Sequence, residues 1–155
     1  MATHYDQVLD RLVTVLRSNI ASITRVTATN EIQKRRDFQT ADQIYEGVTV
    51  HKGSKRDPDG GPFAVDDYIY PCYCTYVYGA TVDEYDSDED AHAFVDLVTR
   101  LFNGVRCGVT FSNNSSENWC TVSDADLEVG EMFRDNYIVV SLLVRCEIRQ
   151  ERTAL

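Results

Sequence analysis

The sequence predicts an α+β fold: a single domain in which two helices pack on one face of a mainly antiparallel sheet. Three observations carry this expectation. Two apolar stripes at helical spacing lie near residues 4–18 and 88–103. Three β-prone runs lie at 68–78, 119–127 and 133–149. At 155 residues and 43% hydrophobic composition, the chain is of one-domain length and has enough apolar side chains for a real core.

Taken in order, the first element is a helix over residues 4–18. Thr3 is a good N-cap, and Asp6 three residues on gives a capping box weakened by the short reach of Asp. Tyr5, Val8, Leu9, Leu12, Val15 and Leu16 form its stripe. Ile23 to Thr27 is short and β-branched, which predicts a strand. Residues 28–46 are polar, hold the basic cluster Lys34-Arg35-Arg36, and read as a solvated loop or short helix face. Gly47 to His51 is expected to be a short strand. The Pro- and Gly-bearing stretch that follows, within 52–66, is expected to be an exposed loop.

The Tyr-rich run 68–78 reads as a strand with Pro71 near its start or on an edge. Ser87 is the expected cap of the second helix, whose first turn receives acids at the positive end of the dipole. Ala91, Phe94, Val95, Val98, Leu101 and Phe102 make its stripe, and Gly104 fits the C′ position. Trp119 to Leu127 is the penultimate strand. The order is therefore α-β-β-β-α-β-β.

The last run, Phe133 to Arg149, alternates almost without a break. Ile138, Val140, Leu142, Val144, Cys146 and Ile148 point one way. The opposite face is apolar at Val139 and Leu143, then charged at Arg145, Glu147 and Arg149. At strand rise the run spans about 55 Å, far beyond a usual strand, and predicts a projecting element able to join copies side by side. Arg145, Glu147 and Arg149 read either as edge charge that blocks unwanted pairing or as polar contacts to a partner.

A net charge of −10 disfavours binding of nucleic acid through phosphate neutralisation, but suits a wall that DNA slides past. No apolar run reaches membrane-spanning length and no signal-peptide pattern opens the chain, so it is read as soluble, not exported and made in the cytoplasm. The five cysteines show no CxxC spacing and read as reduced, buried thiols.

Catalytic and cofactor motifs are missing: there is no GxSxG, HExxH, Walker loop or GxGxxG. Cys72 and Cys74 share a strand face, but two thiols and the scattered His4, His51 and His92 do not make a zinc set. The acids from Asp83 to Asp90 lack the glycine and terminal Glu of an EF-hand loop. No catalytic residue, cofactor or metal is expected. The tyrosines say more. Tyr70, Tyr76 and Tyr78 share a face with Cys72 and Cys74, and Tyr73 joins Thr75 and Val77 on the other. Packing under helices and contact with a subunit both suit tyrosine, one on each face. The candidate interface set is Tyr73, Tyr76, Tyr78, Val139, Leu143, Arg145, Glu147 and Arg149.

Four stretches resemble a known family: the opening helix His4 to Leu16, the strand and glycine loop Gly47 to Gly53, the acid-capped helix Asp88 to Phe102, and the closing hairpin Trp119 to Leu127 with Tyr137 to Arg149. In texture and element order the chain resembles the tail terminator proteins of long-tailed bacteriophages. The resemblance covers most of the chain, without the loop at 28–46 or the stretch Cys107 to Asn118. It implies a structural virion protein whose copies close a ring, expected to be hexameric, on top of the tail tube. One face would meet the tail tube protein and the other a head-completion or neck protein, with DNA passing through the lumen. Another head–tail joining protein is the neighbouring reading. A small cytosolic enzyme and a host-binding module built on the tyrosine strand are the readings from other classes.

Overall fold

In the computed structural model the described residues are 3–20, 32–34, 47–53, 65–79, 84–109, 116–124 and 137–151. They form α1 (His4–Asn19), β1 (Ile32–Lys34), β2 (Gly47–Lys52), β3 (Val65–Gly79), α2 (Glu84–Phe102), β4 (Ser116–Asp124) and β5 (Tyr137–Glu151). The strands make one sheet in the order β1-β2-β3-β5-β4. Only β1 and β2 pair in parallel; every other neighbouring pair is antiparallel. The α+β expectation and its element order hold.

Both helices cover the same sheet face. Tyr5 of α1 meets Tyr70 edge-on at 5.3 Å, and Phe94 of α2 lies 5.5 Å from Tyr76. The core between the layers takes Val8, Leu9, Leu12 and Leu16 from α1, and Ala91, Phe94, Leu97, Val98 and Phe102 from α2. The sheet answers with Val48, Val50, Tyr70, Cys72, Cys74, Tyr76, Tyr78, Leu142, Val144, Cys146 and Ile148. Alternation along β3 and β5 thus delivers alternate residues of each strand to the helix side.

The α1 cap is as the sequence requires. The Asp6 N–H donates to Thr3 Oγ1 at 3.1 Å, and the Thr3 hydroxyl donates to the Asp6 carboxylate at 2.9 Å. That hydroxyl, aided by Lys52 at 3.5 Å, holds the Asp6 carboxyl below its ordinary range. At the far end of α2, Gly104 takes a φ of 70°, and its N–H donates to the Cys120 carbonyl at 2.8 Å.

Several expectations are corrected. Residues 32–34, read as loop or short helix face, are a parallel edge strand. Arg17 donates two hydrogen bonds to the Ile32 carbonyl, at 3.1 and 2.8 Å, and Lys34 pairs with Asp10 at 2.7 Å. Tertiary ties to α1 hold this polar segment extended, against its weak local propensity. The strand expected at Ile23 to Thr27 lies outside the described residues, as do residues 54–64 of the expected loop.

Helix α2 begins at Glu84, so Ser87 is inside it and not its cap. Acids in the first turns favour the positive end of the dipole, and the helix extends back through them. Strand β4 starts at Ser116 and not at Trp119; residues 125–127 and 133–136, expected in strands, lie outside the described set. Pro71 is neither at the start of β3 nor on an edge: β3 is an inner strand. Its carbonyl accepts the Gly53 N–H at 2.8 Å, so its nitrogen faces the β2 side, where the ladder has already ended at Lys52. No β3–β5 hydrogen bond is lost to the proline.

The projecting final strand is also corrected. β5 is 15 residues long, but β3 is equally long and pairs with it from Val65↔Glu151 to Gly79↔Tyr137. β4 lines its other edge. From Leu142 to Arg149 β5 lies between β3 and β4, so it cannot receive an added strand there, and its charges cannot serve as edge blockers.

Candidate interaction face

Among the described residues no helix covers the opposite sheet face, and this face is built from the odd-numbered residues of β3 and β5. Tyr73 lies opposite Leu143, Thr75 opposite Ser141, and Val77 opposite Val139. Along β5 the same face continues through Arg145, which sits between Pro71 and Thr121, to Glu147 and Arg149.

The face is graded. At one end Thr49, Thr75 and Val77 are buried, and the Thr75 and Ser141 hydroxyls are hydrogen-bonded at 2.8 Å. Val139, opposite Val77, is half-buried, as are Tyr73 and Leu143 in the middle, with Tyr73 stacked on the buried His51 ring at 5.1 Å. At the other end Arg145 and Arg149 are exposed and Glu147 is half-buried. Arg145 forms no ion pair among the described residues. Its planar guanidinium can hold a carboxylate through two hydrogen bonds.

Six of the eight candidate interface residues are therefore brought together: Tyr73, Val139, Leu143, Arg145, Glu147 and Arg149. Tyr76 and Tyr78 are not. Both are buried on the helix side, with their rings 4.7 Å apart and Tyr76 against Phe94. Their even positions, with the strand flat under α2, assign them to the core, and they offer nothing to a partner.

All five thiols are free and buried. Cys72 and Cys74 lie in the helix-side core. Burial pushes the Cys74 thiol up to about 12 and the Cys72 thiol well above its ordinary range. The other three were not legible as a group. Cys107 follows α2, Cys120 is on β4 and Cys146 is on β5, yet their sulfurs all lie within 4.8 Å of one another. Cys120 and Cys146 are directly opposed across the β4–β5 ladder with sulfurs 3.4 Å apart. Hydrogen bonding to Cys107 and then to Cys146 holds the Cys120 thiol low, while the same contacts push Cys146 up. The nearest sequence signal was two cysteines on adjacent strands of one hairpin, and it needed the register to be read.

No helix among the described residues is long and apolar enough to cross a membrane. Compared with known proteins, the chain matches no family model and no curated sequence.

Proposed function

We propose that the chain is a structural virion subunit, the tail terminator of a long-tailed bacteriophage, and that copies of it close a ring, six-fold by resemblance, on the end of the tail tube. The observation that carries the reading is the graded sheet face. One side of the sheet is sealed by two helices. The other presents aromatic and aliphatic groups that run into exposed arginines. Such a face suits contact with a neighbouring protein, with apolar area giving affinity and charge setting register.

Ring closure requires a heterologous contact, in which this face meets a different patch of the next copy or of the tube. Because β5 is paired on both edges from Leu142 to Arg149, the contact there runs through side chains of the face and not by strand addition. The remaining surfaces would serve the tail tube protein and a head-completion protein. The acidic balance of the chain favours a lumen that lets DNA pass without holding it. In this reading the chain carries out no reaction.

Electron microscopy of assembled tails, with the protein tagged or antibody-labelled, tests the proposal. The expected result is labelled rings at the head-proximal end of the tube. A protein missing from the particle, or present there as a single copy, would end the reading.

A further inference from the structure

We infer that Cys107, Cys120 and Cys146 form a buried three-sulfur site for a soft, thiophilic metal ion, with monovalent copper as the fitting occupant. The inference is independent of the proposed role in the virion.

The geometry is built from three separate devices. A β-bulge is the first. Glu117 pairs with Ile148 and Cys120 with Cys146, so three steps along β4 match two along β5. The extra residue turns Cys120 toward the helix side, and Trp119 beside it is left 60% exposed. Bulges re-aim side chains in this way. The second device is the ladder itself, which sets Cys146 opposite Cys120. The third fixes Cys107. The Cys120 N–H donates to the Val105 carbonyl at 2.9 Å, and Arg106 bridges to Trp119, which docks the segment after α2 against β4. Arg11 Nε then donates to the Cys107 carbonyl at 3.1 Å. Gly108, at a φ of 80°, lets the guanidinium lie close; an added Cβ there would come within 2.9 Å of Arg11 Nε.

The donor set selects the ion. Three sulfurs exclude hard cations, which take oxygen ligands. Metal–sulfur bonds of about 2.3 Å place sulfurs in a trigonal set about 4 Å apart. That agrees with three sulfurs that all lie within 4.8 Å. Structural zinc takes four ligands, and no fourth His, Cys, Asp or Glu joins the group among the described residues. Thiolate donors in a low-coordinate, water-poor site favour monovalent copper. Each thiol that binds gives up its proton to solvent. The fixed positive charge of Arg11 lies beside the site and offsets part of the resulting negative charge. Cys107 itself is buried, between exposed Arg106 and Gly108.

The test uses the whole, reduced chain, loaded anaerobically with Cu(I) against a competing chelator. About one Cu(I) per chain should be retained, with X-ray absorption showing sulfur-only coordination by three ligands near 2.3 Å. Cys107→Ala and Cys120→Ala should lose retention, while Cys74→Ser should keep it. Circular dichroism identifies variants that fold. Should Cys120→Ala not fold, Cys107→Ala is decisive, because it lies outside the strands. Failure of the native chain to retain copper would overturn the site, as would retention by a folded Cys107→Ala chain. Stoichiometric zinc in four-coordinate geometry would overturn the three-sulfur assignment.

Discussion

Tyr5 shows how one polar atom can hold two elements together. Its hydroxyl donates to the Pro71 carbonyl, accepts the Gly53 N–H at 3.1 Å, and lies 3.2 Å from the Gly53 carbonyl. It stands where proline has removed a ladder donor, and burial pushes its own ionisation up. Tyr5→Phe keeps the ring and removes the hydroxyl, so a buried carbonyl loses a partner. The expected cost is about 1–3 kcal/mol in urea denaturation. Phe94→Ala should cost about 3–5 kcal/mol by the same measurement, because the ring is fully buried against Tyr76. Cys74 gives a pH signature. Its folded-state value of about 12 lies above the ordinary 9.0. The folded chain therefore holds a proton that the unfolded chain gives up between those values. Stability should be full below pH 9.0 and fall as pH rises toward 12. Cys74→Ala should flatten that decline in alkaline denaturation curves. Tyr76 and Tyr78 are the residues where sequence reading of the candidate face failed. Parity put both on the Cys72 face, but parity alone does not tell which face the helices cover.

At the scale of elements, both helices were legible because their stripes repeat at 3.6 residues and their ends carry local signals. The N-cap is the clearest. Thr3→Ala should destabilise the chain by about 1 kcal/mol and Thr3→Ser should restore most of it, read as midpoint shifts in urea. Strand existence was legible for the same periodic reason, but strand ends were not. β4 was misplaced by three residues because the bulge before Cys120 breaks the alternation on which the reading relied. The three residues of β1 carry no period at all. They are a strand because Arg17 and Lys34 tie them to α1. The length of β5 was read well and its setting was not. A long alternating run looks like a projection until its partner is seen to be equally long, and the acidic pair Asp66 and Asp67 near the start of β3 hid that partner.

For the whole molecule, this setting changes how copies could meet. Among the described residues the sheet ends at β1 and β4. β1 has only three residues and β4 is interrupted by a bulge, features that discourage edge-to-edge pairing. Contact then falls to the sheet face, where Arg145 and Arg149 stand four residues apart on a strand braced there from both sides. Edge protection, the plainer account of these charges, no longer applies. The choice narrows to solvated face charge or recognition of an acidic partner, and charge reversal separates the two. Both side chains are exposed and neither belongs to the core, so Arg145→Glu with Arg149→Glu should leave the chain folded, with a stability change of about 1 kcal/mol or less in urea denaturation. If the arginines set register against a neighbour, the same double variant should fail to complete tails, since like charge facing like charge costs several kcal/mol across an interface. Restoring opposite charge on the acidic partner surface should recover assembly. Complementation of a phage lacking the protein, scored by infectious titre and by tail-length distribution in micrographs, measures this directly. A folded double variant that yields normal titres and normal tails would exclude both arginines from contact with a partner.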